Sequence, residues 1–474
     1  MGGLGGGAWV APPQGDLSAG TTVVRGGWVL GLEGGAPRLL RDHSVVVEGG
    51  RIAAIVAGDA GPADVRVDAP DGLVLPGFLN LHAHSLNARI FRGLVDDARQ
   101  DPATGGAVYG ILMPVAELVG RELSAAELGA LARLGLLDLV LSGVTTVADM
   151  FRPEQTVVFE AAAAIGLRLY AFPYLFSQRP VAPGLPAAEP PAEDVGAALA
   201  RSAELIRRFD HGAGGRIRVG LGPHGTDTCS PALLRAVREA ATAHGWPISL
   251  HLAQSPSEVE ASHRRHGCGP VEHLGRLGLL GPDLLAAHCL YATDDELDLL
   301  ARSGATVVNC PLVYARWGVP APFHRFTARG VRTAIGTDQE RDYVVELRTA
   351  GLLSKLHARQ AHVASAGALV RAATLTGAEA LGRPDLGQIA PGARADLVVV
   401  DLGRPHLTPV FDPLQSLVWH GTGADVATVL VDGEVLVHEG RFVRGDEAAI
   451  RQEAAAAIER VWALAAARGL GARQ

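Results

Sequence analysis

The stretch that decides the fold is Pro76-Gly77-Phe78-Leu79-Asn80-Leu81-His82-Ala83-His84. An apolar run, interrupted by a Pro-Gly pair and one Asn, carries two histidines spaced two residues apart. Side chains alternate between the faces of an extended strand, so His82 and His84 are expected to point the same way. Two adjacent imidazoles at a strand end can bind one divalent metal ion. Because a single His-x-His pair is common, this interpretation depends on further ligands elsewhere.

Three other apolar segments also end on a residue that can bind a metal, namely His251, His288 and Asp338. In a barrel of alternating strands and helices, the C-terminal ends of the strands meet at one mouth. We therefore expect these three side chains to lie beside His82 and His84. Three imidazoles and one carboxylate, with His288 alongside, would hold one divalent ion and leave room for a water molecule.

A water molecule bound to such an ion has its pKa lowered toward neutrality and becomes a hydroxide nucleophile. We expect Asp338 both to bind the metal and to accept the proton of that water, and His288 to hold the hydroxide or to polarise the substrate. A single histidine at a strand end is more often an ordinary core or surface residue. Four such sites in a barrel-like pattern favour a metal site.

The alternation of strand-like and helical segments along the chain supports a barrel. Between residues 76 and 384, short apolar strands alternate with Ala-, Leu- and Arg-rich helical stretches, which predicts an α/β fold with a (β/α)8 barrel of the TIM type. Residues 21–75 contain short strands with Gly-Gly hairpins, and short strands return in residues 385–445, so we predict one small β-sandwich built from both chain ends. Residues 1–20 are predicted to form a flexible arm, and residues 446–474 a terminal helix and tail.

Composition narrows the classes of partner. The net charge of -8 at pH 7 argues against a nucleic-acid-binding surface. The chain begins without a signal-peptide pattern and has no run near the roughly 20 apolar residues that cross a bilayer. Its four cysteines form no C-x-x-C pair, which favours a reducing compartment. We expect a cytoplasmic protein that acts on a small molecule and binds neither nucleic acid nor membrane.

The strand-end motifs together resemble the amidohydrolase superfamily, in its branch of aminohydrolases and chlorohydrolases. That branch includes guanine deaminase, the adenosylhomocysteine and methylthioadenosine deaminases, and the s-triazine hydrolases. The resemblance covers roughly residues 21–445. The motifs that carry it are Pro76-Gly77-Phe78, His82-Ala83-His84, Arg92-Gly93-Leu94, Gly143-Val144-Thr145-Thr146-Val147-Ala148-Asp149, Gly222-Pro223-His224, Thr228-Cys229-Ser230-Pro231, His251-Leu252-Ala253, Ala287-His288-Cys289, Gly336-Thr337-Asp338 and Ala395-Asp396-Leu397.

The resemblance implies a mononuclear site with one divalent ion per chain, zinc in the first place and iron as the alternative. Its implied ligands are His82, His84, His251 and Asp338. A binuclear site normally needs a carboxylated lysine at a strand end, and Lys355 lies instead in a helical stretch after Asp338. The resemblance also implies that His224 contacts the substrate and that the chain forms a homodimer or a larger homo-oligomer.

One departure from the family concerns proton transfer. Family deaminases usually carry a glutamate three residues after the histidine that matches His251, and this chain has Gln254 there. A glutamine amide forms hydrogen bonds but does not exchange a proton at useful pH. Either another group takes the proton, with Glu258, His224 and Asp338 as candidates, or the reaction needs less acid assistance. Alternatively, Gln254 simply faces an uncharged edge of the substrate.

The loops that shape the pocket also differ from the family. The turn that usually reads His-Asn-Pro is Asn309-Cys310-Pro311 here. We therefore do not transfer a substrate from any named relative. Arg316 is a candidate for binding an anionic group of the substrate, as are Arg89 and Arg341.

We predict a metal-dependent hydrolase that deaminates a small heterocyclic or amidine-like substrate. A metal-bound hydroxide attacks an sp² carbon, Asp338 takes the proton of the water, and ammonia leaves. One alternative is hydrolysis of another C–N or C–halogen bond, as in the triazine hydrolases, where the missing glutamate matters less. Another is a metal-binding relative that lost turnover when Gln254 replaced the acid, although the intact ligand set argues against it.

Overall fold

The computed structural model describes residues 20–92, 95, 108–178 and 194–470. The predicted arm, apart from Gly20, and the tail residues 471–474 lie outside this set. The strands are β1 Thr21–Glu33, β2 Ala36–Glu48, β3 Arg51–Ala57, β4 Val65–Pro76, β5 Phe78–Ala83, β6 Val144–Phe151, β7 Arg168–Leu175, β8 Ile217–Val219, β9 Gly222–Pro223, β10 Ile248–Leu252, β11 Leu284–His288, β12 Thr306–Asn309, β13 Arg332–Ile335, β14 Leu397–Asp401, β15 Val426–Val431, β16 Glu434–His438 and β17 Arg441–Phe442.

The helices follow the same chain order. They are α1 Met113–Glu122, α2 Ala125–Leu141, α3 Val157–Ile165, α4 Val195–Phe209, α5 Gly212–Gly215, α6 Pro231–His244, α7 Pro256–His266, α8 Pro270–Arg276, α9 Asp294–Ser303, α10 Pro311–Arg316, α11 Phe323–Thr327, α12 Tyr343–Ala358, α13 Ala366–Ala373, α14 Leu375–Ala380, α15 Pro413–His420 and α16 Glu447–Ala467. Among the described residues, no helix has both the length and the apolar character needed to cross a membrane.

Strands from both ends of the chain form one eight-stranded sheet in the order β17-β16-β15-β14-β4-β1-β2-β3. The antiparallel pairing of β4 with β14 joins the N-terminal strands to the C-terminal ones, with Leu73 opposite Val400 and Pro76 opposite Leu397. A two-layered sandwich is not confirmed, because the eight strands follow one another in a single hydrogen-bonded order.

Local sequence signals set the ends of several elements. Gly49 and Gly50 join β2 to β3 with φ angles of 55° and 73°, a backbone form that residues without a Cβ adopt at little cost. The Gly-Gly hairpin expected there is confirmed. Helix α2 begins after Ser124, whose hydroxyl accepts a hydrogen bond from the Glu127 amide while the Glu127 carboxylate reaches back to the Ser124 amide.

The central part of the chain contains two sheets of parallel strands. One has the order β5-β6-β7-β8, with β9 paired to β7, and the other has the order β10-β11-β12-β13. A single parallel bridge between Ala83 and Asp338 connects β5 to the segment after β13. A second bridge, between Leu221 and Ile248, connects the other ends of the two sheets. The strands thus follow one another with a hydrogen-bonded link at both seams.

The seam between β5 and β13 is reinforced by buried side chains. The amides of His84 and Asp338 donate to the carbonyls of Asp338 and His82, at 3.0 and 2.9 Å. The Asn80 side chain donates to the Thr337 hydroxyl at 2.7 Å and accepts from the Thr337 amide at 3.0 Å. Because these groups have no access to water, their mutual bonds fix the register of the first and last strands.

A buried ion cluster connects the parallel strands to the eight-stranded sheet. Arg168, the first residue of β7, donates two hydrogen bonds to the Asp396 carboxylate, at 2.7 and 2.9 Å. Its guanidinium also pairs with Asp432, at the end of β15. The side chains of Arg168 and Asp396 are 2% and 3% exposed, so this contact is shielded from solvent and salt.

We expect Arg168→Met to lower the free energy of unfolding by about 3–5 kcal/mol, because the buried Asp396 carboxylate then loses its cation. Urea unfolding of both proteins at neutral pH measures the difference. The matched control is Arg207→Met, which removes an exposed pair with Glu204 and should leave stability unchanged. Equal effects of the two substitutions would show that the buried cluster does not hold the two parts together.

Candidate active site

Five titratable side chains from four strand ends lie together and are buried. His82 lies in β5 and His84 directly follows that strand, His251 lies in β10, His288 ends β11, and Asp338 follows β13. The structure therefore places all five residues of the predicted metal site at one point. Lys355 is in α12, where its Nζ donates to the Val363 carbonyl at 3.0 Å.

Backbone carbonyls set the tautomers of two of these histidines. The Nδ1 of His84 lies 2.9 Å from the Met150 carbonyl, and the Nδ1 of His251 lies 2.9 Å from the His224 carbonyl. A carbonyl only accepts, so both Nδ1 atoms carry the hydrogen and both Nε2 atoms present lone pairs. These two Nε2 atoms are 3.3 Å apart. Facing lone pairs repel, and a shared cation removes that repulsion, so this geometry fits a metal ion.

The ring of His82 points to the same conclusion. It is fully buried, and neither ring nitrogen has a hydrogen-bond partner in the described part of the chain. Leaving a buried polar group unpaired is costly unless another ligand satisfies it. The ligand atoms of His82, His84 and His251 lie within 4.8 Å of one another, as do those of His82, His288 and Asp338. The donor set suits one divalent ion.

Burial dominates the electrostatics of the cluster. It holds the pKa of His82 and His251 well below the usual range, with repulsion from neighbouring imidazoles adding to the effect. Burial likewise lowers the pKa of His288 to about 3 and raises the pKa of Asp338 to about 8. Neutral imidazoles bind a metal without first releasing a proton, whereas a nearby cation would favour the ionised form of Asp338.

The backbone around the cluster is strained at several residues. His288, Asp338 and Ala253 have φ angles of 77°, 56° and 46°, in a region that residues with a Cβ rarely adopt. All three end or follow a parallel strand. Such conformations persist only where the surrounding structure enforces them, and they concentrate at functional sites.

A pocket opens beside the cluster. Its walls combine polar groups with aromatic and aliphatic side chains, as in many small-molecule sites. The described residues that line it are His84, Asn87, Phe91, Val108, Leu112, Met113, Ala116, Arg152, Tyr174, His224, His251, Gln254, His288, Tyr314, Trp317, Asp338 and Gln339.

Two predicted substrate-binding residues, His224 and Gln254, lie in this wall. The His224 Nδ1 is 2.9 Å from the Thr228 hydroxyl, and its ring centre is 4.8 Å from that of His251. The side-chain nitrogen of Gln254 is buried and has no hydrogen-bond partner among the residues that the structure describes. An unpaired amide donor in a pocket wall is suited to an acceptor on a ligand.

Glu258 and Arg316 are not among the described residues that line the pocket. The Glu258 carboxylate accepts hydrogen bonds from the Thr226 hydroxyl at 2.7 Å and from the Gln254 backbone amide at 2.8 Å. Arg316 pairs with Glu340 and lines a smaller recess that adjoins the pocket. Glu258 therefore holds the backbone of the Gln254 segment in place. The charge of Arg316 is balanced by Glu340.

Sequence reasoning missed two residues of the pocket wall, Arg152 and Tyr174. Arg152 directly follows β6, and Tyr174 is the penultimate residue of β7. Both obey the strand-end rule that singled out the histidines. A search for any polar residue at a strand end, in place of metal ligands alone, would have found them.

A protein-family model described as Amidohydrolase family matches residues 73–436. The 5-methylthioadenosine/S-adenosylhomocysteine deaminase of Halobacterium salinarum is 36% identical over 420 residues, which cover 87% of this chain and 93% of that protein. The 5'-deoxyadenosine deaminase of Methanosarcina mazei is 31% identical over 452 residues, which cover 92% of this chain and 97% of that protein.

Solved structures share the architecture. An adenosine deaminase from Xanthomonas campestris with bound zinc superposes with a TM-score of 0.83 at 26% identity, covering 93% of this chain and 98% of its own. A variant of atrazine chlorohydrolase from Arthrobacter aurescens, complexed with zinc and atraton, gives a TM-score of 0.83 at 24% identity, covering 92% and 100%. The second likeness concerns the fold alone.

Glu258 gives the site a pH-dependent stability. Burial, and then the neighbouring Asp227, raise the pKa of Glu258 to about 8. Between the ordinary pKa of a glutamate and this value, the folded protein holds a proton that the unfolded chain has lost, so stability falls as pH rises. We expect Glu258 to contribute a fall of up to about 1.4 kcal/mol per pH unit in this window, in addition to that of other buried carboxyls such as Asp338, and Glu258→Gln should remove this contribution.

Urea unfolding at several pH values across the window measures both slopes. Glu260→Gln is the matched control, because Glu260 lies on the same helix but is exposed and paired with Arg264. It should keep the wild-type slope. If Glu258→Gln also kept that slope, the Glu258 carboxyl would not be the group that holds the proton.

Proposed function

The chain belongs to the amidohydrolase family, and from this premise we propose that it removes the amino group of an adenosine-like nucleoside by hydrolysis. The resemblance inferred from the strand-end motifs is confirmed, and the chain is a metal-dependent hydrolase that acts on C–N bonds. The observation that carries the proposal is the convergence of the five titratable side chains in a chain that matches deaminases of adenosine derivatives along nearly their whole length.

We propose that one zinc ion, with iron as the alternative, is held by His82, His84, His251 and Asp338. The unpartnered ring of His82 and the facing lone pairs of His84 and His251 support this set. Zinc is also bound in the adenosine deaminase of similar fold. When bound, such an ion would act as a Lewis acid and activate a water molecule as the nucleophile.

Protons are handled by Asp338 and His288, and the Nε2 of His288 lies 3.9 Å from the Oδ2 of Asp338. Asp338 accepts one proton from the attacking water and returns it to the departing amine, and the neutral His288 hydrogen-bonds to the same water. The second proton of the water leaves the new hydroxyl group as the carbonyl forms and ends on the ring nitrogen, so that ammonia and the oxo product account for both protons. Because both groups are buried, their access to bulk water is small and competition for these protons is reduced.

The pocket wall supplies groups for a flat heterocycle. The ring of Tyr314 is 5.0 Å from that of His288, and Trp317 packs against Tyr314 at 5.5 Å, so aromatic faces border the reacting end. The side-chain nitrogen of Gln254 donates a hydrogen bond to a ring nitrogen of the substrate. His224 binds another polar edge of the same ring.

Gln254 favours a second candidate function. Since an amide cannot deliver a proton to a ring nitrogen, the site is also suited to a leaving group that needs less acid assistance, such as halide or an alkylamine. Ammonia and halide release from matched substrates separate the two candidates.

We further propose that the two parallel sheets close into one (β/α)8 barrel over residues 76–384. The bridges at both seams and the similarity to solved amidohydrolases support this closure. The flanking segments 21–75 and 385–445 would form one small β-sandwich, since apolar side chains from β1–β4 and β14–β16 share a core cluster. Residues 446–474 would follow as helix and tail. A cytoplasmic location and a homodimer or larger assembly stay predictions.

Purified protein should contain one zinc ion per chain and release ammonia from 5'-deoxyadenosine. His251→Ala should lose both properties because it removes a ligand and its fixed tautomer. Metal analysis and an ammonia assay measure the two outcomes, with His263→Ala, an exposed histidine on α7, as the matched control. Two ions per chain, or none, would contradict the mononuclear site, and halide release without ammonia would favour the second candidate.

Gln254→Glu should raise kcat for ammonia release by about 10- to 100-fold, because a carboxyl group can carry the proton that the amide cannot. Steady-state kinetics measure the change, and zinc content verifies that the site is intact. Gln360→Glu adds the same charge at an exposed position of α12's C-terminal loop and serves as the control. A loss of activity in Gln254→Glu would instead show that the substrate needs the amide as a donor.

A further inference from the structure

Arg152 is a partly buried cation in the pocket wall, and no acidic side chain in the described part of the chain forms an ion pair with it. Its backbone amide bonds to the Gln155 side chain, but its guanidinium forms no hydrogen bond or ion pair with any residue in the described ranges. Of the three arginines suggested by the sequence, Arg89 pairs with Asp138 and Arg316 with Glu340, and Arg341 is not among the described residues that line the pocket.

The charge of Arg152 reaches the substrate-facing side of the pocket. Burial lowers the pKa of His224 and raises the pKa of Tyr174, and the Arg152 charge acts as a lesser influence that lowers the pKa of both. Asp338 is the only acid among the described lining residues, and it belongs to the metal set. A cation in such a wall loses hydration unless a ligand replaces it.

The surroundings of the Arg152 stem explain how the guanidinium is held. Its Cδ and the Oε1 of the exposed Glu154 each lie 3.7 Å from the point where a Cβ on Gly120 of α1 would stand, so the aliphatic part of Arg152 lies against that helix, and no ion pair joins it to Glu154. Met113 and Ala116 of the same helix line the pocket next to it. A planar guanidinium without an ion-pair partner among the described residues is suited to two parallel hydrogen bonds to one anionic group.

We propose that the substrate carries a carboxylate or phosphate group that pairs with Arg152, and that this pairing selects it over uncharged analogues of the same ring. This inference rests on the proposed function, because the anionic group must belong to the molecule whose amino group is removed. It adds a second point of recognition, separate from the metal cluster and from Gln254.

Three adenosine derivatives that differ only at the 5' position provide the test. Adenosine is the neutral member, adenosine 5'-carboxylate carries the carboxylate, and adenosine 5'-monophosphate carries the phosphate. The zinc-loaded wild-type protein should show a higher kcat/KM for at least one anionic member than for adenosine. Comparing the two anionic members tells which group the site takes.

Arg152→Met keeps the length of the stem and removes the charge. Relative to adenosine, it should lower kcat/KM for the preferred anionic member by about 10- to 100-fold, mainly through KM, because charge-assisted hydrogen bonds are lost. Arg152→Lys should restore part of the preference. Arg302→Met, an exposed arginine at the end of α9, removes the same charge far from the pocket and should leave the preference intact.

Preference for adenosine in the wild type, or equal losses for all three compounds in Arg152→Met, would overturn the inference. Failure of the proposed function is distinguishable, because then none of the compounds would release ammonia. In that case, calorimetric binding of the same three compounds still tests Arg152. Tighter binding of an anionic member that is lost in Arg152→Met supports the anionic site, and equal binding overturns it.

Discussion

The active site depends on the hydrogen bonds that join the first parallel strand to the last. The reciprocal backbone contacts among His82, His84 and Asp338 bring side chains that could bind one metal ion together from distant parts of the chain. Asn80 and Thr337 lock the same seam with buried side chains. A shift of one residue in this register would turn the histidines to the other face of the strand, so that they would no longer lie beside Asp338. The chemistry is therefore a property of how the strands meet.

Burial keeps the imidazoles of the site neutral, and it also makes the site less stable when no metal ion is bound. Neutral imidazoles with fixed tautomers are ready to bind a metal, yet without one their lone pairs oppose each other in a dry interior. The left-handed backbone at His288 and Asp338 adds strain to the same residues. The metal and the fold thus support one another, because the ion relieves the repulsion that the fold creates.

The clustering of the five titratable side chains could be predicted from the sequence because residue types that bind metals are rare and successive parallel strands end on the same side. The surroundings of Glu258 could not be predicted in this way, because its position within one turn of helix decides whether its side chain faces the pocket. In the structure, its carboxylate instead accepts a hydrogen bond from the Gln254 backbone amide. Arg316 was expected to bind substrate, yet its partner Glu340 is distant in sequence and becomes a neighbour only after folding. Arg152 could not be singled out from the sequence because arginines are common. What distinguishes it is the lack of an ion-pair partner among the described residues, and ion pairing depends on the tertiary structure.

The pairing of β4 with β14 has a consequence for how the protein is made. As the chain leaves the ribosome, β1–β4 emerge early and their central partner arrives only after the whole catalytic segment. Until then β4 presents an open edge and an uncovered apolar face, which are the features that promote aggregation of nascent chains. The last strands therefore act as a closing element, and a truncated translation product would lack the partner that its N-terminal sheet requires.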